Sequence, residues 1–101
     1  MTRFKHKNLV IGIPVYNEEK YILSCLSSLA NQTYSDFLCL VSDNNSSDNT
    51  FQIARDFAKT DPRFKIRQNK VNIGSSANFE YLLQNTDSEY FMWLGGHDKL
   101  T

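Results

Sequence analysis

Leu9-Val10-Ile11-Gly12-Ile13-Pro14-Val15-Tyr16-Asn17-Glu18 is the stretch that decides how this chain folds. Its first five residues are apolar without alternation, the pattern of a strand covered on both faces and hence of a parallel sheet. Pro14 has no N–H to give to a ladder and is expected to end the strand. A helix is expected from Glu18 or Glu19 to about Leu29, with Tyr21, Ile22, Cys25, Leu26 and Leu29 on one apolar stripe. Acidic residues in its first turn suit the positive end of the helix dipole.

The same alternation continues outward from this unit. Phe37-Leu38-Cys39-Leu40-Val41 is a second continuous apolar run, and a polar segment follows it. A helix is expected from about Asp48 to Ala58, capped by Ser47 or Asp48 and burying Phe51, Ala54, Phe57 and Ala58. Phe64 and Ile66 alternate with charges in a half-exposed third strand after the Asp61-Pro62 break. Gly74-Ser75-Ser76 opens a third helix, with Phe79, Leu82 and Leu83 at helical spacing. Tyr90-Phe91-Met92-Trp93-Leu94 is the fourth and most apolar strand. Strands and helices taking turns in this way predict an α/β fold, a mostly parallel open sheet of about four strands with helices on both faces.

Composition narrows the function classes. Hydrophobic residues are 41% and charged residues 22% of the 101 positions, as in ordinary globular proteins. That length is one domain or less, able to bury roughly two-thirds of its unfolded surface. Eleven basic and eleven acidic residues balance to a formal net charge of zero, which leaves no excess for nucleic-acid binding. Arg3-Phe4-Lys5-His6-Lys7 reads as a solvated tail, and 65–70 as the wet face of a strand. Cys25 and Cys39 lack zinc-ligand spacing and read as small buried hydrophobes in a reducing compartment. No apolar run reaches the ~20 residues of a membrane span, and no secretory signal precedes Leu9. A soluble, cytoplasmic chain is expected.

In open parallel sheets ligands bind beyond the carboxyl ends of the strands. Three polar clusters fall there: Tyr16-Asn17-Glu18, Asp43-Asn44-Asn45 and Gly95-Gly96-His97-Asp98. Ser46, Ser47 and Asp48 read as a capped turn, which leaves Asp43 and Asn44 freer to face a ligand. A carboxylate accepts from the ring N–H of a pyrimidine, and an amide both donates and accepts.

Pro14-Val15-Tyr16-Asn17-Glu18, Gln32-Thr33, and Asp43-Asn44 followed by Ser46, Asp48 and Thr50 together resemble the opening of GT-A-fold inverting glycosyltransferases of the family 2 type. Asn72-x-Gly74 and the Leu94-to-Asp98 strand end follow in the expected order. The resemblance covers nearly the whole chain, and no Rossmann G-x-G-x-x-G or P-loop competes with it. It implies that Pro14 and Tyr16 line a base pocket, that Asp43 and Asn44 read base and ribose, and that Glu18 sits near the same nucleotide. Two aspartates stand in much of the family where this chain has Asp43 and Asn44. Gly74, Ser75 and Asn78 are candidates for the sugar or diphosphate, since a helix N-terminus favours anions. An arginine common before that asparagine is Ala77 here, which removes one phosphate partner.

The resemblance further implies a divalent ion, Mn²⁺ or Mg²⁺, on the diphosphate. Of the family's Asp-x-Asp signature only Asp98 remains, and one or two carboxylates suffice for such an ion. His97 suits Mn²⁺ better than Mg²⁺. The donor is expected to be a nucleotide-diphosphate sugar, UDP-sugar favoured, and the acceptor a saccharide or lipid-linked hydroxyl. The catalytic base is expected beyond Thr101, so residues 1–101 would be the nucleotide-sugar-binding half of a transferase domain, inactive alone. An uncovered sheet edge would then favour self-association. A non-catalytic nucleotide-binding module and a flavodoxin-like interaction domain share the alternation. All of this requires the loops after strands one, two and four to meet in one cleft.

Overall fold

The computed structural model describes residues 4–5, 8–88 and 90–94. Strand β1 (Phe4–Lys5) is a two-residue piece, and β2 (Leu9–Val15) is the opening apolar run. Then come α1 (Ile22–Ala30), β3 (Phe37–Asp43), α2 (Thr50–Ala58), β4 (Phe64–Gln68), α3 (Ser75–Gln84), β5 (Thr86–Asp87) and β6 (Tyr90–Trp93). The main sheet has the order β4-β3-β2-β6, and every pairing in it is parallel. Short β1 and β5 pair separately, also in parallel. The α/β architecture expected from the alternation is the one observed.

Side chains alternate across a strand, and that period sorts the core into two layers. Ile11, Ile13 and Val15 of β2, with Phe37, Cys39 and Val41 of β3, pack with Ile22, Cys25, Leu26 and Leu29 of α1 and Ala54 of α2. Val10, Leu40 and Leu82 are fully buried yet outside that cluster, so they belong to the opposite face, where α3 contacts β2 and β3. At the amino end of β4, Phe64 meets Phe37 and Phe57 edge-on, with centroids 5.9 and 5.0 Å apart. Both cysteines are buried free thiols, and burial pushes the Cys39 thiol well up.

Several boundaries differ from expectation: β3 runs to Asp43 rather than Val41, and α2 starts at Thr50 rather than Asp48. Strand β2 does not stop at Pro14 but continues to Val15. The Gly12 carbonyl accepts from Leu94 beside β6, whereas the Val15 carbonyl accepts from Asn44 beside β3. In a parallel ladder alternate residues bond to alternate neighbours, so Pro14 turns its missing N–H toward β6, whose register with β2 ends at Gly12. No β2–β3 bond is lost. Helix α1 begins at Ile22 rather than Glu18 or Glu19, with no acid in its first turn. The Glu18 and Glu19 amides are held instead by Thr50 Oγ1 (2.7 Å) and Asp48 Oδ2 (3.3 Å), which keeps these residues in a turn.

The chain order also locates a crevice. From β2 the first two connections step outward to β3 and β4, whereas α3 leads back past β2 to β6. Such a reversal is where open α/β sheets leave room for ligands at the carboxyl edge. Among the described residues, no helix is long and apolar enough to cross a membrane.

Candidate nucleotide site

At the carboxyl edge of the sheet, the segment after β2 and the segment after β3 are laced together. The Asn17 N–H donates to Ser46 Oγ (2.9 Å), and that hydroxyl donates to Asp43 Oδ1 (2.6 Å). In return Asn17 Oδ1 accepts from the Ser47 N–H at 2.9 Å. Asn17 and Asn45 have φ of 51° and 62°, a left-handed region that asparagine enters more readily than most residues. Asparagine at 17 thus both permits the reversal and ties it to the neighbouring loop.

The N-cap of α2 is Asn49 rather than Ser47 or Asp48, and its side chain makes no cap bond; Asp48 acts from one residue earlier. Its Oδ1 accepts from the Thr50 N–H (2.9 Å) and the Thr50 hydroxyl (2.5 Å). Burial pushes the Asp48 carboxyl up, but the bonds from Thr50 and Glu19 outweigh it and hold the group below its ordinary value. A depressed folded-state pKa adds stability that is present above the unfolded value of about 3.9 and lost as pH falls through the folded value. Acid titration of the melting temperature is therefore expected to fall more steeply below about pH 4 in the parent chain than in Asp48→Asn.

Behind this loop pair lies a polar core. The amide of Asn78, 2% exposed, accepts from Ser42 Oγ (2.7 Å) and Asn69 Nδ2 (3.1 Å) and donates to the Ser42 carbonyl (2.9 Å). Arg67 donates to Ser42 Oγ and to Asn69 Oδ1, and its guanidinium lies 3.8 Å from the Tyr81 ring centroid. That is a cation–π contact on α3, not the solvated strand face expected for this arginine.

One cleft of about 520 Å³ opens beside these elements, lined by Pro14, Val15, Tyr16, Glu18, Asn44, Ser75, Ser76, Asn78, Phe79 and Glu80. The candidates after β2, at the end of β3 and at the start of α3 therefore share one wall-to-wall space. Tyr16 is 45% exposed and Phe79 39%, so two aromatic faces reach the opening. Phe79, read only as one of three apolar residues at helical spacing, does not share the burial of Leu82. It stands one helical turn beyond Ser75, and that i, i+4 spacing is the signal that would have put it beside the cleft. Leu83 is likewise exposed, at 48%.

Asp43 and Asn44 are not the freer residues expected. Asp43 is fully buried and absent from the lining; its carboxylate accepts from the Ser46 N–H, the Ser46 hydroxyl and Gln68 Nε2. Asn44 borders the cleft while its amide bonds to residues 69, 72 and 73. Asn78 also borders it with its amide turned to the polar core. A strand end that must close a turn uses its polar side chains on its own backbone first. Gly74, with φ 88°, sets the start of α3. Asp98 and His97 lie outside the described residues, and among the described ones no group of three or more His, Cys, Asp or Glu could hold a metal ion.

Known proteins resemble this chain in sequence and in fold. Residues 10–101 match the family described as glycosyl transferase family 2. Chondroitin synthase of Escherichia coli is 39% identical over 69 residues, 67% of this chain and 10% of that protein. An uncharacterized glycosyltransferase of Haemophilus influenzae is 34% identical over 83 residues, 82% of this chain and 26% of the relative. The crystal structure of S. aureus TarS 1-349 in complex with UDP superposes with a TM-score of 0.82 at 28% identity, covering 91% of this chain and 28% of that one. The chain thus spans between a tenth and little more than a quarter of the length of these proteins. On the match of residues 10–101, and with the parallel α/β fold in agreement, the chain belongs to glycosyl transferase family 2.

Proposed function

We propose that residues 1–101 form the donor-binding part of a glycosyltransferase domain that takes a nucleotide-diphosphate sugar, with UDP as the favoured nucleotide. The observation that carries this reading is the single cleft uniting Pro14, Tyr16 and Glu18 with the first turn of α3. An exposed aromatic ring suits a base face, and the amino end of a ten-residue helix suits a diphosphate. Support comes from TarS, solved with UDP and with UDP-GlcNAc.

In this reading the base lies on Tyr16 against Pro14, the ribose lies toward Glu18, and the diphosphate meets Gly74 and Ser75. Asp43 acts from behind, fixing Ser46 and so the laced loops, and Asn78 fixes α3 against β3. The reaction is a single inverting displacement: an acceptor oxygen attacks the anomeric carbon, the bond from that carbon to the diphosphate oxygen breaks, and the nucleoside diphosphate leaves. A carboxylate base is required to take the acceptor proton. Asp98, with His97, is the proposed holder of a divalent cation, which when bound would screen charge on the leaving diphosphate.

Calorimetric titration of the chain with UDP, with and without Mn²⁺, tests the proposal. Saturable one-to-one binding is expected, strengthened by Mn²⁺, with the Mn²⁺ gain lost in Asp98→Ala. Binding indifferent to both Mn²⁺ and Asp98→Ala would favour the non-catalytic nucleotide-binding module. Absence of binding would contradict both.

A further inference from the structure

Asn44 follows β3 directly, with its side chain committed on both sides. Its Oδ1 accepts from the Ile73 N–H and from Asn69 Nδ2, each at 3.0 Å. Its Nδ2 donates to Asn72 Oδ1 at 2.9 Å, and that oxygen also accepts from the Gly74 N–H at 2.8 Å. The Ile73 and Gly74 amides are backbone donors, so they fix which end of each asparagine amide is oxygen. A relay therefore runs from the end of β3 through Asn72 to Gly74, the residue from which α3 starts.

We propose that Asn44 is a positioning residue for the diphosphate end of the donor site, holding segment 72–74 so that the first turn of α3 faces the cleft. The proposal rests on the nucleotide reading above and assigns Asn44 a part other than reading the base. The two asparagines are chemically unequal in the relay. Asn72 only accepts in it, so an aspartate there preserves every bond. Asn44 must donate to one side and accept from the other, and a carboxylate there would set one of its oxygens against Asn72 Oδ1.

The test compares the 101-residue chain with Asn44→Ala and Asn72→Ala, both neutral changes, titrated with uridine and with UDP. Each variant is expected to weaken UDP at least about fivefold while uridine changes less than about twofold, the size of one lost charge-assisted contact. Asn72 is exposed, so Asn72→Ala carries the test if the buried variant does not fold. In the free chain, hydrogen exchange at the Gly74 amide is expected to quicken in Asn44→Asp, whose carboxylate still accepts from Ile73 but repels Asn72 Oδ1, and to stay slow in Asn72→Asp. Equal weakening of uridine and UDP by Asn44→Ala, with Asn72→Ala silent, would make Asn44 a base reader and overturn the proposal alone. Failure of the parent chain to bind either ligand would overturn the functional reading and this proposal with it.

Discussion

Asn78→Leu is expected to destabilise the fold by about 3 kcal/mol or more, although leucine has as many side-chain heavy atoms as asparagine and removes no apolar contact. The reason is what the change leaves behind. Ser42 Oγ loses its acceptor, the Ser42 carbonyl loses a donor, and Asn69 Nδ2 loses one of its two acceptors. Each orphaned buried group costs about 1–3 kcal/mol. Arg67 shares the network through Ser42 and Asn69, so the loss reaches its seat on Tyr81. For a domain near 100 residues, a thermal melt followed by circular dichroism should fall by more than about 10 °C. A melt within about 3 °C of the parent would show the polar core to be dispensable.

Tyr16→Ala is expected to act in the opposite way, sparing stability and removing binding. Tyr16 is half-exposed and stands outside the buried core, so truncating it should leave the melt unchanged to within about 0.5 kcal/mol. An aromatic ring stacked on a base contributes about 1–3 kcal/mol to binding, so the dissociation constant for UDP should rise roughly 5- to 150-fold. Phe79→Ala, on the other wall, separates stacking at Tyr16 from general apolar lining, since only a residue that touches the base discriminates uridine from ribose 5-phosphate. Unchanged affinity in Tyr16→Ala would remove the base from the position assigned to it.

The fold was legible because its decisive signal is local. A continuous run such as Leu9 to Ile13 has one economical use, a strand covered on both faces, and the chain contains enough such runs separated by helical spacing to specify a parallel sheet. The carboxyl-edge clustering of Tyr16, Glu18, Asn44 and the start of α3 followed from that topology. What the spacing did not show was the direction in which individual side chains spend their hydrogen bonds. Asp43 looks available in the sequence because its needs are met by Ser46 and by Gln68, the latter 25 positions away. Arg67 looks solvated because its partners, Ser42 and Tyr81, come from two other elements. Pro14 looks like a strand end because the side of the strand it faces depends on which neighbour stops first. In each case the missing information is long-range pairing.

The shared cleft is tested most directly by following backbone amide signals of the chain as UDP is added. Residues 15–18 and 74–79 are expected to shift together, with one common saturation curve. Shifts confined to one of those segments, or centred on the apolar depression of about 180 Å³ at the opposite end of the sheet, around Leu9, Gln32, Tyr34 and Phe37, would contradict a single donor site at the carboxyl edge.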